Sequence, residues 1–124
     1  MTNAQPKAIR SLELLFSELR SIEADFPASY AAILVYVAKR TAAGGELPTL
    51  SEVADNVGIA RPATSRAVLA MSDRRSRELR EGSRKALGLL ERMQDAQDYR
   101  MVRVRLTPKG VGLVNRLALL AKPD

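Results

Sequence analysis

The chain has 124 residues and a formal net charge of +6, with neither cysteine nor histidine. This length suffices for one domain with a modest core, and 46% hydrophobic and 27% charged residues are typical of a globular protein. The missing residue types exclude disulfides, metal sites with Cys or His ligands, and catalysis by Cys–His or Ser–His pairs. The longest apolar run, residues 31–38, is too short to cross a bilayer, and no signal-peptide pattern precedes it, so we expect a cytoplasmic protein without membrane contact.

The charge is divided unevenly along the chain. Residues 1–60 contain five Lys or Arg against seven Asp or Glu, whereas residues 61–124 contain fifteen against seven. A neutral-to-acidic half joined to a basic half is typical of proteins that bind a polyanion. A basic, soluble surface without a partner is the alternative interpretation.

The first 42 residues predict two helices. Apolar residues at three- and four-residue steps predict an amphipathic helix over about 7–25, and its stripe comprises Ile9, Leu12, Phe16, Leu19 and Phe26. The spacing of these apolar residues is close to a heptad repeat, so the stripe can pack either on a second subunit or on its own domain. A second helix over about 27–42 is apolar around most of its circumference and should be the central, buried one.

A short helix and a turn follow in residues 49–58. Thr49 and Glu52 have the spacing of a capping box, in which each side chain accepts the other residue's backbone N–H. Gly58 can adopt the positive φ that ends the helix and turns the chain. Pro62 then stands in the first turn of the next helix, where its missing N–H costs nothing.

The second half predicts a hairpin and a last helix. Residues 89–94 and 100–106 are expected to be strands around the polar tip 95–99, because valine and arginine alternate with period two in the second of them. Thr107 and Pro108 are expected to cap and begin the final helix.

Two helices joined by a glycine turn and followed by a hairpin predict a winged helix-turn-helix. The fold class is therefore mainly α with a small β-hairpin wing (α+β), in one domain over 1–124, with the helix-turn-helix at 49–72 and the wing at 89–106. The exposed N-terminal face of the second helix can enter a DNA major groove. We place five candidate DNA-contacting residues on it: Arg61, Ala63, Thr64, Ser65 and Arg66.

The stretch "DYRMVRVRLTPKG" at 98–110 resembles the wing and following helix of the MarR family of winged-helix transcriptional regulators. Residues 50–66 and 87–92 are similar to that family's helix-turn-helix and to the start of its wing. The resemblance implies that Arg100 reaches into the minor groove while Asp98 holds it in pose; a hairpin-stabilising ion pair is the alternative. It also implies a homodimer joined through terminal helices, here 1–26 and 107–121, and a small-molecule effector.

Four features depart from the family pattern. The first is a short C-terminus, with one predicted helix after the wing where the family often has a longer dimerising segment. Ala60 stands where a capping serine is common, which should weaken the start of the recognition helix. Thr64 stands where valine or isoleucine is usual, so either its methyl group packs inward or the helix is rotated. A basic insertion at 73–86 separates the recognition helix from the wing; Arg74 and Arg75 either clamp phosphates or belong to a solvated, self-paired helix.

These patterns favour a sequence-specific regulator of transcription that binds double-stranded DNA. The resemblance to the MarR family implies that it acts as a repressor and as a homodimer on a pseudo-palindromic operator. The alternative is a winged-helix module for protein interaction or assembly that lacks specific DNA binding. We expect no enzymatic activity, cofactor or metal, since neither a candidate general base beyond ordinary carboxylates nor a phosphate-cradling glycine loop is present.

Overall fold

The computed structural model describes residues 6–72 and 87–121. Within these ranges the order of elements is α1 (Pro6–Ile22), α2 (Ala28–Ala43), α3 (Leu50–Val57), α4 (Arg61–Met71), β1 (Leu90–Gln94), β2 (Val102–Leu106) and α5 (Pro108–Ala121). The predicted winged helix-turn-helix is confirmed. The predicted insertion 73–86, with Arg74 and Arg75, lies outside the described residues. No helix in the described ranges is long and apolar enough to span a bilayer.

Helix α2 lies at the centre of the fold. Ile33, Leu34 and Val37 are fully buried, and α2 packs against α3, α4, α5 and β2. Burial holds for one face only, because Val35 on the other side is more than half exposed. The prediction of a central helix is therefore right, but an all-round apolar composition overstated how much of its surface the protomer covers.

The turn between α3 and α4 follows the local signals in the sequence. Thr49 Oγ1 accepts the Glu52 N–H at 3.1 Å, and Glu52 Oε1 accepts the Thr49 N–H at 2.9 Å, which completes the predicted capping box. Gly58 has φ +84° and donates its N–H to Ala54 O at 2.9 Å. Helix α4 then begins without a side-chain cap, because Ala60 occupies the capping position.

The wing is a two-stranded antiparallel ribbon whose strands begin later than the alternation predicts. Its register runs from Leu90 opposite Leu106 to Gln94 opposite Val102. Beyond this pair the chain turns: the Asp95 N–H bonds to Met101 O at 2.9 Å. Arg100 consequently lies in the turn at the tip rather than in the strand that was expected to start there.

The "LTPKG" motif at the end of the wing joins β1 to α5. Thr107 Oγ1 accepts the Gly110 N–H at 3.0 Å and donates to Gly88 O at 2.6 Å, while Lys109 Nζ donates to Leu87 O at 2.9 Å. Gly110 lies so close to the residue before β1 that a Cβ there would be 2.2 Å from the Leu89 carbonyl oxygen. Threonine caps α5 as predicted, and the lysine and glycine hold the base of the wing against the helix.

Helix α1 divides its apolar stripe between two environments. Leu19 is buried in the core, and Arg116 of α5 donates its Nε to Glu18 Oε2 at 2.6 Å. The N-terminal part of the stripe is uncovered in the protomer; its exposed members are Ile9, Leu12 and Phe16. One part of the predicted stripe thus packs on its own domain, and the other part is free for another surface.

Candidate nucleic-acid interface

Helix α4 has two chemically different faces. Its buried residues follow the steps of a helical stripe: Thr64, Ala67, Val68 and Met71. Arg61 and Arg66 are exposed on the other side, and Ala63 and Ser65 are half-buried at the border between the faces. Two cations and a hydroxyl group are therefore available to a ligand that approaches the start of this helix, as the sequence predicts.

Thr64 does not belong to that outward face, so its assignment as a DNA contact is wrong. Its side chain is 1% exposed, and its Oγ1 donates to Ala60 O at 3.0 Å, one helical turn back. Of the two alternatives, inward packing is the one observed. The sequence carried the signal, since Thr64 precedes Ala67 and Val68 by three and four residues on the same stripe.

The tip of the wing exposes an arginine beside an aspartate. The Arg100 side chain is 79% exposed, and its Nε lies 3.3 Å from Asp98 Oδ1. The same carboxylate oxygen accepts the Arg100 backbone N–H at 3.0 Å, which fixes the turn from which the side chain projects. An exposed ion pair stabilises a fold little, so the main local effect of Asp98 is on the backbone at the tip.

A cleft of about 410 Å³ separates the recognition helix from the wing. Its walls come from the start of α3, the start of α4 and the distal wing, and include Ser51, Arg61, Ser65 and Arg100. The fold therefore brings together three of the predicted site residues, while Ala63 and Arg66 do not line the cleft. Ser51 was missed, although its place after the capping Thr49 puts it in the first turn of α3, where N–H groups favour anions.

The wing is joined to the segment before α3 by Arg103, which sequence reasoning did not single out. Its Nε donates to Asp95 Oδ1 at 2.6 Å, one Nη donates to Leu47 O, and the other lies 3.7 Å from Glu46 Oε1. The hydrogen bond from Arg103 lowers the pKa of Asp95 below its ordinary value, and the bond to Asp95 raises the pKa of Arg103. Both groups are therefore charged at neutral pH.

A second polar network joins α2 to the start of α3. Arg40 donates to the Tyr36 hydroxyl oxygen at 2.8 Å and to Glu46 O at 3.1 Å, and its guanidinium lies 3.6 Å from Glu52 Oε1. The bond to Tyr36 is the main cause that raises the pKa of Arg40. The Thr49 N–H is the main cause that lowers the pKa of Glu52, and the Arg40 charge adds to it. Across the described ranges, no group of three or more carboxylates could hold a metal ion.

Solved structures that match this fold include regulators of the MarR family. The S. aureus MepR–DNA complex matches with a TM-score of 0.58 and 21% identity over 92% of this chain and 72% of MepR. PcaV from Streptomyces coelicolor, in complex with its natural ligand, matches with a TM-score of 0.56 and 22% identity over 90% of this chain and 64% of PcaV. NadR in complex with 4-hydroxyphenylacetate matches with a TM-score of 0.58 and 20% identity over 91% of this chain and 69% of NadR.

No protein-family model matches the sequence, and no curated protein matches it. The structural matches cover about nine-tenths of this chain. The resemblance first seen in the wing motif is thereby confirmed for the whole fold. This chain has the winged helix-turn-helix fold of the MarR-family regulators.

Proposed function

We propose that this chain is a regulator of transcription that binds double-stranded DNA in a sequence-specific manner. The observation that carries the proposal is the cleft between α4 and the wing, where Arg61 and Ser65 face Arg100 across an open space. Helix α4 presents Arg66 beside them on the exposed face. The S. aureus MepR–DNA complex, which has a similar fold, supports DNA as the ligand.

In the proposed complex α4 enters a major groove and the wing lies over the adjacent minor groove. A major groove admits one helix, and arginine can bond to guanine edges there. Arg66 is the candidate for base recognition, and Arg61 and Ser65 are candidates for phosphate contacts, since the start of a helix favours anions. Arg100 enters the minor groove, where a narrow A·T-rich segment concentrates negative potential.

We propose further that the regulator is a homodimer joined through α1 and α5. Phe16 is 58% and Leu119 72% exposed in the protomer, and α1 and α5 pack against each other. Burying large apolar side chains from two copies stabilises a dimer, and Phe16→Asp should therefore shift the chain towards monomer in analytical ultracentrifugation. A two-fold dimer places its recognition helices on half-sites about 10 bp apart, and binding there represses transcription by excluding polymerase.

Selection of bound duplexes from a random pool tests the proposal, with Arg66→Ala and Arg100→Ala as variants. Arg66→Ala should cost about 1–3 kcal/mol on the selected duplex and relax the base preference. Arg100→Ala should weaken binding and remove the preference for A·T-rich flanks. Lys39→Ala is the control, because it removes one positive charge from an exposed position on α2, outside both the cleft and the proposed dimer helices.

A salt titration separates the proposal from a module for protein interaction. The affinity of a DNA-binding protein falls steeply between low and physiological salt, because phosphate contacts release counterions. If the wild-type chain shows no salt-dependent binding to any selected duplex, the proposed function is wrong and the interaction module takes its place.

A small-molecule effector is part of the same proposal. PcaV was solved with its natural ligand and NadR with 4-hydroxyphenylacetate. In this chain the cleft offers the guanidinium groups of Arg61 and Arg100 and the hydroxyl of Ser65, which suit a carboxylate. An aromatic carboxylic acid such as 4-hydroxyphenylacetate should therefore compete with DNA, and loss of this competition in Arg61→Ala would locate its site.

A further inference from the structure

Arg103 differs from the other arginine on its strand. Both residues belong to β2 and are two positions apart, so the period of the strand places them on the same face of the ribbon. The Arg103 side chain is 16% exposed and reaches outside the wing, whereas Arg105 is 48% exposed and pairs across the ribbon with Glu91 at 2.8 Å. The same residue type therefore has two different roles within one hairpin.

One side of the Arg103 guanidinium holds the distal turn of the wing. Its Nε donates to Asp95 Oδ1, and Asp95 Oδ2 accepts the backbone N–H groups of Gln97 and Asp98, each at 3.0 Å. Asp98 in turn accepts the backbone N–H of Arg100. A short series of charge-assisted hydrogen bonds thus connects Arg103 to the exposed arginine at the tip.

The other side of the guanidinium holds the segment that leads into the helix-turn-helix. Arg103 donates to Leu47 O, and the next residue on β2, Val104, donates its backbone N–H to Pro48 O at 3.0 Å. Thr49, which follows directly, is the N-cap of α3. Arg103 is therefore bonded both to the wing turn and to the residues that begin the DNA-recognition helices.

We propose that Arg103 is a positioning residue that fixes the wing relative to the helix-turn-helix, so that Arg100 and α4 can reach the DNA together. This inference rests on the proposed function. Arg103 acts through the placement of Arg100, since its Nε and one Nη donate within the protein and its side chain is only 16% exposed. The geometry needs a planar group with donors on two sides, which an arginine has and a lysine ammonium does not.

Double-mutant cycles on the selected duplex test this inference, with Arg105→Met as the matched control. Arg103→Met should weaken binding about tenfold and remove the preference for A·T-rich flanks while the base preference at α4 remains. Combined with Arg100→Ala it should add almost nothing, because both substitutions remove the same contact. Arg105→Met removes the same charge from the same strand, so its effect should be smaller and should add to that of Arg100→Ala.

Arg103→Lys separates geometry from charge. It should be nearly as defective as Arg103→Met, because one ammonium cannot bridge Asp95 and Leu47 O as the guanidinium does. If Arg103→Lys binds like the wild type, or if Arg103→Met and Arg100→Ala add fully, Arg103 acts as a charge near the DNA and the inference is wrong. If Arg103→Met does not fold, Asp95→Asn takes its place in the test, because it keeps an oxygen for the turn but weakens the charged pair. Asp95→Asn should then show the binding defect that is expected of Arg103→Met.

A measurement without DNA distinguishes failure of this inference from failure of the proposed function. In ¹⁵N relaxation experiments the amides of Asp98 and Arg100 should have lower order parameters in Arg103→Met than in wild type, whereas Arg105→Met should leave them unchanged. Unchanged order parameters in Arg103→Met overturn the positioning role. If the order parameters change as expected but the wild type binds no duplex, the DNA-binding function is wrong while the role of Arg103 in fixing the wing stands.

Discussion

Gly110 gives the sharpest test of how the wing is attached to the rest of the fold. A Cβ at this position would lie 2.2 Å from Leu89 O, 3.1 Å from Leu89 C and 3.2 Å from Leu106 Cδ2. A carbon–oxygen contact normally needs about 3.3 Å, so α5 and β1 would have to separate by about 1 Å. The obstacle is backbone rather than the end of a flexible side chain, and the same Leu89 carbonyl accepts the Thr107 N–H at 3.1 Å.

The expected change in the free energy of unfolding of Gly110→Ala follows from two opposing effects. Overpacking of this kind costs about 1–3 kcal/mol, and strain on the Thr107 hydrogen bond adds about 1 kcal/mol. Alanine in place of glycine inside a helix regains about 1 kcal/mol. Gly110→Ala should therefore lower the free energy of unfolding by about 1–3 kcal/mol.

Gly112→Ala is the matched control, because it makes the same substitution in the same helix. The nearest atom to a Cβ at Gly112 is Arg116 Nη1 at 3.6 Å, an ordinary contact, so only the helix-propensity gain of about 0.5–1 kcal/mol remains. Urea denaturation at one protein concentration measures both variants. Equal unfolding free energies for Gly110→Ala and Gly112→Ala would refute the close approach of α5 to β1.

Three further predictions concern the helix-turn-helix. Ala60→Ser should supply the missing cap of α4 and raise the free energy of unfolding by about 0.5–1 kcal/mol in urea; no gain would mean that the hydroxyl does not reach an N–H of the first turn. Thr64→Val should keep the buried shape and leave DNA affinity unchanged while stability changes by less than about 1 kcal/mol, since Ala60 O still accepts the Thr64 N–H; a loss of affinity would contradict its buried position. The pKa of Glu52 is lowered in the folded chain, so its charge stabilises the fold above its ordinary pKa of 4.5 and this contribution is lost as the pH falls through the folded value. The stability difference between wild type and Glu52→Gln should therefore shrink in urea titrations below pH 4.5, and a constant difference would rule out the charge as its source.

Local signals predicted those parts of the fold that depend on local interactions. The capping box of Thr49 and Glu52 involves residues three apart, and the left-handed Gly58 closes a turn within one helix end. The alternation in β2 correctly predicted a strand, and the buried Val104 lies on its covered face, because a strand with one covered face obeys a period of two. The sequence motif at 106–110 also pointed to the right place: its threonine caps α5 as predicted, and its lysine and glycine attach the wing to that helix.

The features that the sequence did not predict depend on distant contacts or on a misjudged polar atom. Arg103 reaches Leu47 O across 56 positions of the chain, and no period within β2 distinguishes it from the exposed Arg105. Thr64 was placed outward because a hydroxyl suggests a polar contact, yet its spacing from Val68 put it on the buried stripe. A buried threonine needs only one acceptor, and the carbonyl oxygen one turn back supplies it.

The candidate interface thus combines an exposed arginine at the wing tip with a half-buried ion pair, Asp95 and Arg103, to which the backbone of that tip is bonded. Arg100 is held by an exposed contact with Asp98, which orders its guanidinium little. The backbone that carries it is held more firmly, through Asp98, Asp95 and the bridging Arg103. The entropy lost on binding is then mainly that of one side chain rather than of the whole wing. Under the proposed function, affinity for DNA should consequently depend on Asp95 and Arg103, which do not contact the DNA. Substitutions of these two residues should change the preference for groove shape before they change the nucleotide preference at α4.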